Sequence, residues 1–153
     1  MRFRMLLAAG ALAGAACGHE FEPPDRQARV LEAERHYSDA AFDTVVWEND
    51  SVRSAEGNAV YAEKCRLCHG PMGEGQTEYA RERGLEIPSL IEDDWAYASS
   101  LDELRHRIFV GHEAGMPVFG STGLMPREID GSAFYVLYTL RPDVLATPPG
   151  GGG

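Results

Sequence analysis

The stretch Cys65-Arg66-Leu67-Cys68-His69 decides how this sequence is interpreted. On a helical turn, residues i and i+3 share a face, so this spacing puts two thiols side by side. Two such thiols can reach the two vinyl groups of one porphyrin and form thioethers. His69 follows directly, so its imidazole would lie beneath the ring, where it can bind iron. The C-x-x-C-H pattern therefore predicts one covalently attached haem c.

The same stretch has two rival interpretations, a zinc site and a redox-active dithiol. A structural zinc site needs four ligands, usually from two such cysteine pairs, and the chain has no second pair. A thioredoxin-like dithiol is typical of βαβ surroundings, whereas the hydrophobic spacing around this motif is helical. An export signal at the start of the chain also favours haem, because haem c is attached outside the cytoplasm. We therefore predict haem c as the cofactor.

The first 16 residues have the layout of a secretory signal peptide. Arg2 and Arg4 give a positive start, residues 5–16 form a run of Leu, Ala, Gly and Met, and small residues precede Cys17. The run is too short to span a bilayer as a stable helix. The sequence therefore predicts export to the periplasm or to the extracytoplasmic face of a membrane.

Cys17 has two interpretations that the sequence leaves open. The end of the signal resembles a bacterial lipoprotein signal, in which Cys17 would become the lipidated N-terminus directly after Ala16. Gly14 departs from that pattern, which usually has Leu at this position. Alternatively, cleavage near Ala13 or Ala15 would leave Cys17 as a lone thiol, which is a liability in an oxidising compartment. We favour lipid attachment at Cys17, and a diacylated cysteine would anchor the protein firmly to a membrane.

The chain is strongly acidic, with a formal net charge of −10. All 24 acidic residues follow Cys17, and removal of Arg2 and Arg4 would leave 12 of the 14 basic residues, for a net charge of −12. Such a surface repels nucleic acid and anionic lipid head groups, so no nucleic-acid partner is predicted. It favours a redox protein partner with a basic docking patch, although the same charge could serve only solubility.

After the signal, the chain divides into a linker, a domain and a tail. Residues 17–53 are predicted to be an N-terminal tether or linker, with a short helix from an Asp25 cap to about His36. Within this linker an apolar cluster is expected to lie against the main domain: Phe42, Val45, Val46 and Trp47. Residues 146–153, rich in Pro and Gly, are predicted to be a disordered tail.

Residues 54–145 are predicted to form an all-α domain, because they contain helix signals and no convincing strand. Ser54 is the predicted cap of the first helix, which leads into the haem motif. Ser100 and Glu103 form a capping box for a later helix, and Gly111 is predicted to end it. The expected fold class is therefore a small helical domain.

The last helix of this domain is predicted to begin at Pro126, a residue favoured in a first helical turn, and to end at Pro142. Its apolar residues recur at helical spacing and are expected to form a buried stripe: Ile129, Ala133, Val136, Leu137 and Leu140. Its aromatic residues are expected to pack on Gly57 and Tyr61 where the first and last helices cross: Phe134, Tyr135 and Tyr138.

Residues 54–142 resemble a class I, monohaem cytochrome c. Besides the haem motif, five segments match that family in the same order. They are the first helix (57–61), the glycine-rich loop (70–75), the proline segment (87–90), the distal Met-Pro segment (115–119) and the closing helix (126–141). The resemblance implies a cytochrome c-like helical domain wrapped around one covalently bound haem.

The resemblance also assigns two residues near the haem. It implies that the carbonyl of Pro88 accepts a hydrogen bond from His69 and thereby orients the ring. It further implies that Trp95 lies against a haem propionate, for which plain core packing is the alternative. Both roles are expectations for the structure.

Met116 is the predicted sixth iron ligand. It lies in a Gly-Met-Pro loop, far enough along the chain from His69 to wrap around the ring. Met72 is too close to His69 to reach the opposite haem face, and Met125 directly precedes a helix. His112 is the main competitor, with a solvent-facing position as its alternative. The predicted metal ligands are therefore His69 and Met116.

Methionine and histidine ligation raises the reduction potential of haem iron and leaves no vacant iron site. We therefore predict an electron-transfer protein, not an enzyme, with no small-molecule substrate. It would act either as a membrane-tethered shuttle or as a haem subunit of a respiratory or dehydrogenase complex. The alternative is a haem sensor or a peroxidase-like protein with an open iron site, which would require that Met116 does not bind.

Overall fold

A computed structural model describes residues 25–146, and all of the regular structure in that range is helical. The helices are α1 (Arg26–His36), α2 (Asp50–Val60), α3 (Arg66–His69), α4 (Glu78–Glu82), α5 (Leu101–Val110), α6 (Phe119–Thr122), α7 (Pro126–Tyr135) and α8 (Arg141–Ala146). A 3₁₀ turn spans Asp39–Ala41, and π-helical turns span Tyr61–Cys65 and Val136–Leu140. The predicted all-α fold class is confirmed.

Several predictions concern residues that this structure does not describe. The signal segment 1–16, Cys17 and residues 147–153 of the predicted tail lie outside the described residues. Within residues 25–146, no helix has both the length and the apolar composition needed to cross a bilayer.

Several of the predicted helix boundaries are confirmed. The side chain of Asp25 accepts a hydrogen bond of 3.0 Å from the backbone of Gln27 and caps α1, which ends at His36 as predicted. Ser100 Oγ caps α5 through the backbone N–H of Glu103 at 3.2 Å. Gly111, with φ 71°, ends α5 because a glycine tolerates this left-handed conformation.

The predicted start of the first domain helix at Ser54 is wrong. The cap is Asn49, whose side chain accepts a hydrogen bond of 3.0 Å from the backbone of Val52, and Asp50 opens α2. Asn caps a helix as well as Ser does, and an acidic residue in the first turn favours the earlier start. Ser54 instead lies inside α2, where its Oγ is 2.7 Å from Thr139 Oγ1.

The last helix begins at Pro126 as predicted, but it does not end at Pro142. The π-helical turn Val136–Leu140 interrupts the regular hydrogen-bond ladder, and a new segment, α8, starts at Arg141. Pro142 therefore stands in a first helical turn, where a missing N–H costs nothing. The chain continues in helical form to Ala146.

The core lies where α2, α5 and α7 meet. The predicted stripe of the last helix is buried in full: Ile129, Ala133, Val136, Leu137 and Leu140. It joins a core cluster with Leu104 and Ile108 of α5 and with Leu90, Tyr61 and Phe42. Phe42 belongs to the predicted linker, so part of that segment is built into the domain.

Two glycines let α2 and α7 cross closely. A Cβ placed on Gly57 would overlap the carbonyl oxygen of Gly131 and lie 2.8 Å from Tyr135 Cβ. The rings of Tyr61 and Tyr135 pack beside this point, with centroids 5.6 Å apart. The crossing predicted from Gly57 and Tyr61 is therefore confirmed. Tyr138, by contrast, is 55% exposed, and its ring packs against that of Phe134.

The N-terminal segment docks on the helical domain through polar and aromatic contacts. Trp47 Nε1 donates a hydrogen bond of 2.7 Å to the buried carboxylate of Asp130 in α7, and its ring lies 3.2 Å from a Cβ placed on Gly131. Arg127 stacks on the same indole, 3.7 Å from its centroid. Val46, by contrast, is 76% exposed, so the predicted apolar cluster docks through Phe42 and Trp47 and not as a whole.

Candidate haem-binding site

The cysteine pair and His69 lie on one continuous helical rod. α2 widens into the π-helical turn Tyr61–Cys65 and continues as α3, Arg66–His69. Such π turns occur often at functional sites because they change the direction in which following side chains point. Gly70, with φ 82°, ends α3 directly after His69, and Tyr61 Oη donates a hydrogen bond of 2.7 Å to its carbonyl. The motif is therefore fixed at both ends.

Both thiols of the motif are free and neutral. Cys65 and Cys68 do not form a disulfide. Burial, followed by the neighbouring Cys68, raises the pKa of the Cys65 thiol to about 12. Burial also raises the pKa of Cys68, partly offset by Arg83. The thiolate is the reactive form of cysteine, and burial holds both thiols in the neutral form.

His69 carries a buried polar atom that protein groups leave unsatisfied. Burial lowers the pKa of its imidazole, and the backbone carbonyl of Pro88 acts in the opposite direction. Nevertheless Nδ1 is buried without a hydrogen-bond partner of adequate geometry among the described residues. The Pro88 carbonyl therefore lies close to the ring of His69, the residue that the resemblance pairs with it.

The glycine-rich loop brings Pro88 to His69. Gly75 donates its backbone N–H to the His69 carbonyl at 2.8 Å. A Cβ on Gly75, where φ is 80°, would stand 2.6 Å from the Ile87 carbonyl oxygen and 2.9 Å from that of Pro88. Leu90 donates to the Gly73 carbonyl at 2.7 Å and extends this pairing. Only a glycine fits at position 75, so the loop and the proline segment form one unit.

Met116 lies half-buried against the same core cluster that Cys65 and Trp95 pack on. Its loop is held by the backbone N–H of His112, which donates to the Met116 carbonyl at 3.0 Å. A Cβ on Gly111 would stand 2.7 Å from that same carbonyl oxygen, so α5 ends in close contact with the loop. Met116 and Cys65 therefore pack on the same core cluster.

The competing ligands are more exposed than Met116. His112 is exposed, and its Nδ1 accepts a hydrogen bond of 3.0 Å from the backbone of Ala114. Met72 is 53% exposed and Met125 is 65% exposed. Among residues 25–146, no group of three or more His, Cys, Asp and Glu side chains gathers in metal-binding geometry, whereas a structural zinc site needs four ligands.

An aromatic and guanidinium group adjoins the Met116 loop, and sequence reasoning identified only Trp95 in it. The rings of Trp95 and Tyr97 meet edge to face at 5.7 Å. Arg107 donates to Tyr97 Oη and to the Gly111 carbonyl, both at 2.8 Å. Arg141 is buried, donates to the Leu90 carbonyl and lies 5.2 Å from the Trp95 ring. The position of Arg107, one helical turn before the predicted end of α5, is visible in the sequence. The neighbouring residues in the sequence, however, do not indicate which groups it binds.

Comparisons with known proteins match the helical domain of this chain. Residues 53–136 match the family model described as cytochrome c oxidase, cbb3-type, subunit III. The cbb3-type cytochrome c oxidase subunit FixP of Bradyrhizobium sp. (strain ORS 278) is 33% identical over 91 residues, which cover 54% of this chain and 29% of that protein. FixP of Azorhizobium caulinodans is 31% identical over 94 residues, covering 56% and 29% of the two chains.

A third relative is the cbb3-type oxidase subunit CcoP of Rubrivivax gelatinosus, 26% identical over 88 residues that cover 58% of this chain and 26% of that protein. The matched region is thus less than a third of the length of each of these relatives. No solved structure matches the chain. Because the family model covers more than half of the sequence, this chain belongs to the cytochrome c family of cbb3-type oxidase subunit III.

Proposed function

We propose that this protein transfers single electrons on one covalently attached haem c with His69 and Met116 as iron ligands. The observation that carries the proposal is that Cys65, Cys68 and His69 share one helical turn, while Met116 packs on the same core cluster as Cys65. When bound, haem supplies the one-electron exchange between ferric and ferrous iron.

Cys65 and Cys68 hold the haem through thioethers. Their i, i+3 spacing on one helical face matches two vinyl groups, and both thiols are free. The thioether bonds retain the cofactor without a deep cavity, which suits a domain whose core is formed mainly by α2, α5 and α7.

His69 would bind iron through Nε2 and would donate its Nδ1 proton to the Pro88 carbonyl. The buried, unpaired Nδ1 and the effect of the Pro88 carbonyl on this ring support that orientation. A ligating histidine almost always makes such a second bond, which fixes its tautomer. Trp95, with Tyr97 and Arg107 beside it, would face a haem propionate, since an indole, a phenol and a guanidinium are suitable donors to a carboxylate.

Met116 would be the second protein ligand of the iron, beside His69, and would thereby leave no iron site for oxygen or peroxide. The alternative, an open iron site typical of a sensor or a peroxidase, would require another role for Met116. The half-buried position of Met116, against the exposure of His112, Met72 and Met125, favours the closed site. No catalytic step then falls to this chain, and no small-molecule substrate is needed.

We propose further that the protein works as a haem subunit of a respiratory complex. The relatives FixP and CcoP are named as subunits of cbb3-type cytochrome c oxidases, which favours this role over that of a free shuttle. Export, a periplasmic location and a lipid anchor at Cys17 remain part of the proposal, on the sequence pattern alone. The net charge of −10 favours a redox partner with a basic docking patch.

The haem domain is proposed to comprise residues 54–145, and the contacts of Trp47 and Arg53 with Asp130 join the preceding segment to it. Residues 25–53 would therefore be docked on the haem domain and would not act as a free linker.

The test is an absorption spectrum of the protein made in a host that attaches haem c, before and after denaturation and solvent extraction. Haem that stays with the polypeptide, together with the weak sulfur-to-iron charge-transfer band of thioether-ligated ferric haem, is the expected result. Cys65→Ser with Cys68→Ser should abolish the covalent bond. Covalent haem without that band would contradict Met116 ligation, and a haem-free protein would contradict the whole proposal.

A further inference from the structure

We propose that helix α1 is a positioning element that holds Met116 on the iron. This inference rests on the proposed function, because it takes Met116 as the iron ligand. α1 precedes the segment that resembles class I cytochromes c and also precedes the family match, which begins at residue 53. Its contacts nevertheless converge on the loop that carries Met116.

The apolar contact lies directly behind that loop. Ala33 of α1, Val110 at the end of α5 and Val118 form a separate buried cluster, with exposed fractions of 3%, 0% and 5%. Val30, Tyr37 and Phe109 pack around it. Val118 is two residues after Met116, so the only side chain of α1 that is fully buried packs on the continuation of the ligand loop.

α1 also approaches the other side of Met116. A Cβ on Gly115 would stand 3.4 Å from the Arg26 guanidinium in the first turn of α1 and 2.9 Å from Leu85 Cδ2. Gly115 has φ 128°, a conformation that favours glycine. The stretch from Gly115 to Val118 thus lies close to both the beginning and the middle of α1.

Polar and aromatic contacts fix the position of α1 on α5. His106 Nε2 lies 2.7 Å from Glu34 Oε2. The Tyr37 ring meets His106 edge to face at 4.4 Å and Phe109 edge to face at 5.4 Å. These contacts join α1 to the helix whose C-terminal end, at Gly111, touches the Met116 carbonyl. α1 and α5 therefore hold the loop from two directions.

The bond that α1 would support, from the Met116 thioether to iron, is weak. A thioether is a neutral ligand, and its dissociation from iron requires only that a short loop move. Ordering a loop costs conformational entropy, and a helix already packed against the loop reduces that cost. Loosening α1 should therefore raise the fraction of protein in which Met116 has left the iron, while the fold around α2 and α7 persists.

The experiment compares two pairs of variants in the full-length holoprotein. Val30→Ala removes part of the contact, and Leu31→Ala is its control, because Leu31 is 53% exposed on the same helix. Ala33→Asp places a carboxylate in the buried cluster, and Ala28→Asp is its control at an exposed position. The readouts are the charge-transfer band of the ferric protein and the rate of carbon monoxide binding to the ferrous protein, at temperatures where circular dichroism shows a folded chain.

Val30→Ala should accelerate carbon monoxide binding about three- to tenfold, the range expected when a partly buried contact loses two methyl groups. Ala33→Asp should bleach the charge-transfer band at a temperature below its unfolding midpoint, and the two controls should behave as the wild type. If α1 only stabilised the fold, Val30→Ala and Ala33→Asp would lower the unfolding midpoint and leave the charge-transfer band and the carbon monoxide binding rate unchanged in the folded protein.

Two outcomes would overturn the inference in different ways. A wild-type protein with the band, together with a Val30→Ala variant unchanged in band and rate, would disprove the role of α1 and leave Met116 ligation intact. A wild-type protein that lacks the band and binds carbon monoxide at once would disprove Met116 ligation itself. Should Ala33→Asp fail to fold, Val30→Ala still decides the question.

Discussion

Arg53 binds the buried carboxylate of Asp130 with two parallel hydrogen bonds, 2.8 Å from Nε and 2.7 Å from Nη2. Trp47 Nε1 adds a bond of 2.7 Å, and Arg105 donates a fourth. Asp130 is only 1% exposed, and a buried charge is tolerated only when its lone pairs are satisfied in this way. This one carboxylate joins the N-terminal segment, α2, α5 and α7.

Asp130→Asn should destabilise the protein strongly. The substitution keeps the shape of the side chain but leaves Arg53 and Arg105, whose side chains are 15% and 19% exposed, without their shared counter-ion. Loss of one partner from a buried ion pair costs about 3 kcal/mol of unfolding free energy. Urea unfolding of the holoprotein measures it. Asp94→Asn, at an exposed position, is the control, and equal midpoints for the two variants would contradict the role of Asp130.

Gly57→Ala should disrupt the crossing of α2 and α7. The added methyl group would overlap the Gly131 carbonyl oxygen, which is backbone and cannot rotate away. Overpacking of a close helix contact costs about 1–3 kcal/mol. Asn58→Ala, the exposed neighbour on the same helix, should stay within about 0.5 kcal/mol of the wild type. Thermal unfolding followed by circular dichroism distinguishes the two, and a Gly57→Ala protein as stable as Asn58→Ala would show that the helices can separate freely.

Met116→Ala should keep the covalent haem, because the thioethers to Cys65 and Cys68 are independent of the sixth ligand. Its reduction potential should fall by an amount on the order of 0.1 V, within the roughly 0.8 V range over which axial ligands set the potential of haem. Redox titration measures the potential, and carbon monoxide binding measures the iron site that the substitution opens. Met125→Ala, at a residue that is 65% exposed, is the matched control. If the two variants share the wild-type potential, Met116 is not the ligand.

Glu56 should contribute to stability at neutral pH and cease to do so in acid. Two hydrogen bonds of 2.9 Å from Arg127 hold the pKa of its carboxyl group below the usual 4.5. A lowered folded-state pKa means that the stabilisation is present above 4.5 and is lost as the pH falls through the lowered value. The wild type should therefore be slightly more stable than Glu56→Gln at pH 7, and the difference should vanish well below pH 4.5. A difference that is constant from pH 7 to pH 3 would argue against this ion pair in solution.

The sequence alone determined those features that depend on residues close together in the chain. The haem motif is one, because the i, i+3 spacing of Cys65 and Cys68 needs only a single helical turn. The Asp25 and Ser100 caps, the glycine end of α5 and the buried stripe along α7 and the following π-helical turn are others. Each rests on a hydrogen bond or a periodicity within a few residues. The same local rules failed at Ser54 and Pro142, where Asn49 and a π-helical turn provided competing local solutions.

Only the tertiary structure decided which distant residues share a contact. Asp130 lies 77 residues from Arg53, 83 from Trp47 and 25 from Arg105, and nothing near any of them in the sequence marks the others. Gly131 became important only because Gly57 faces it across the crossing. Likewise α1, predicted as part of a linker, packs on Val110 and Val118 behind Met116. Burial and hydrogen bonding between such residues depend on how whole helices pack, and a pattern of neighbouring residues does not encode that packing.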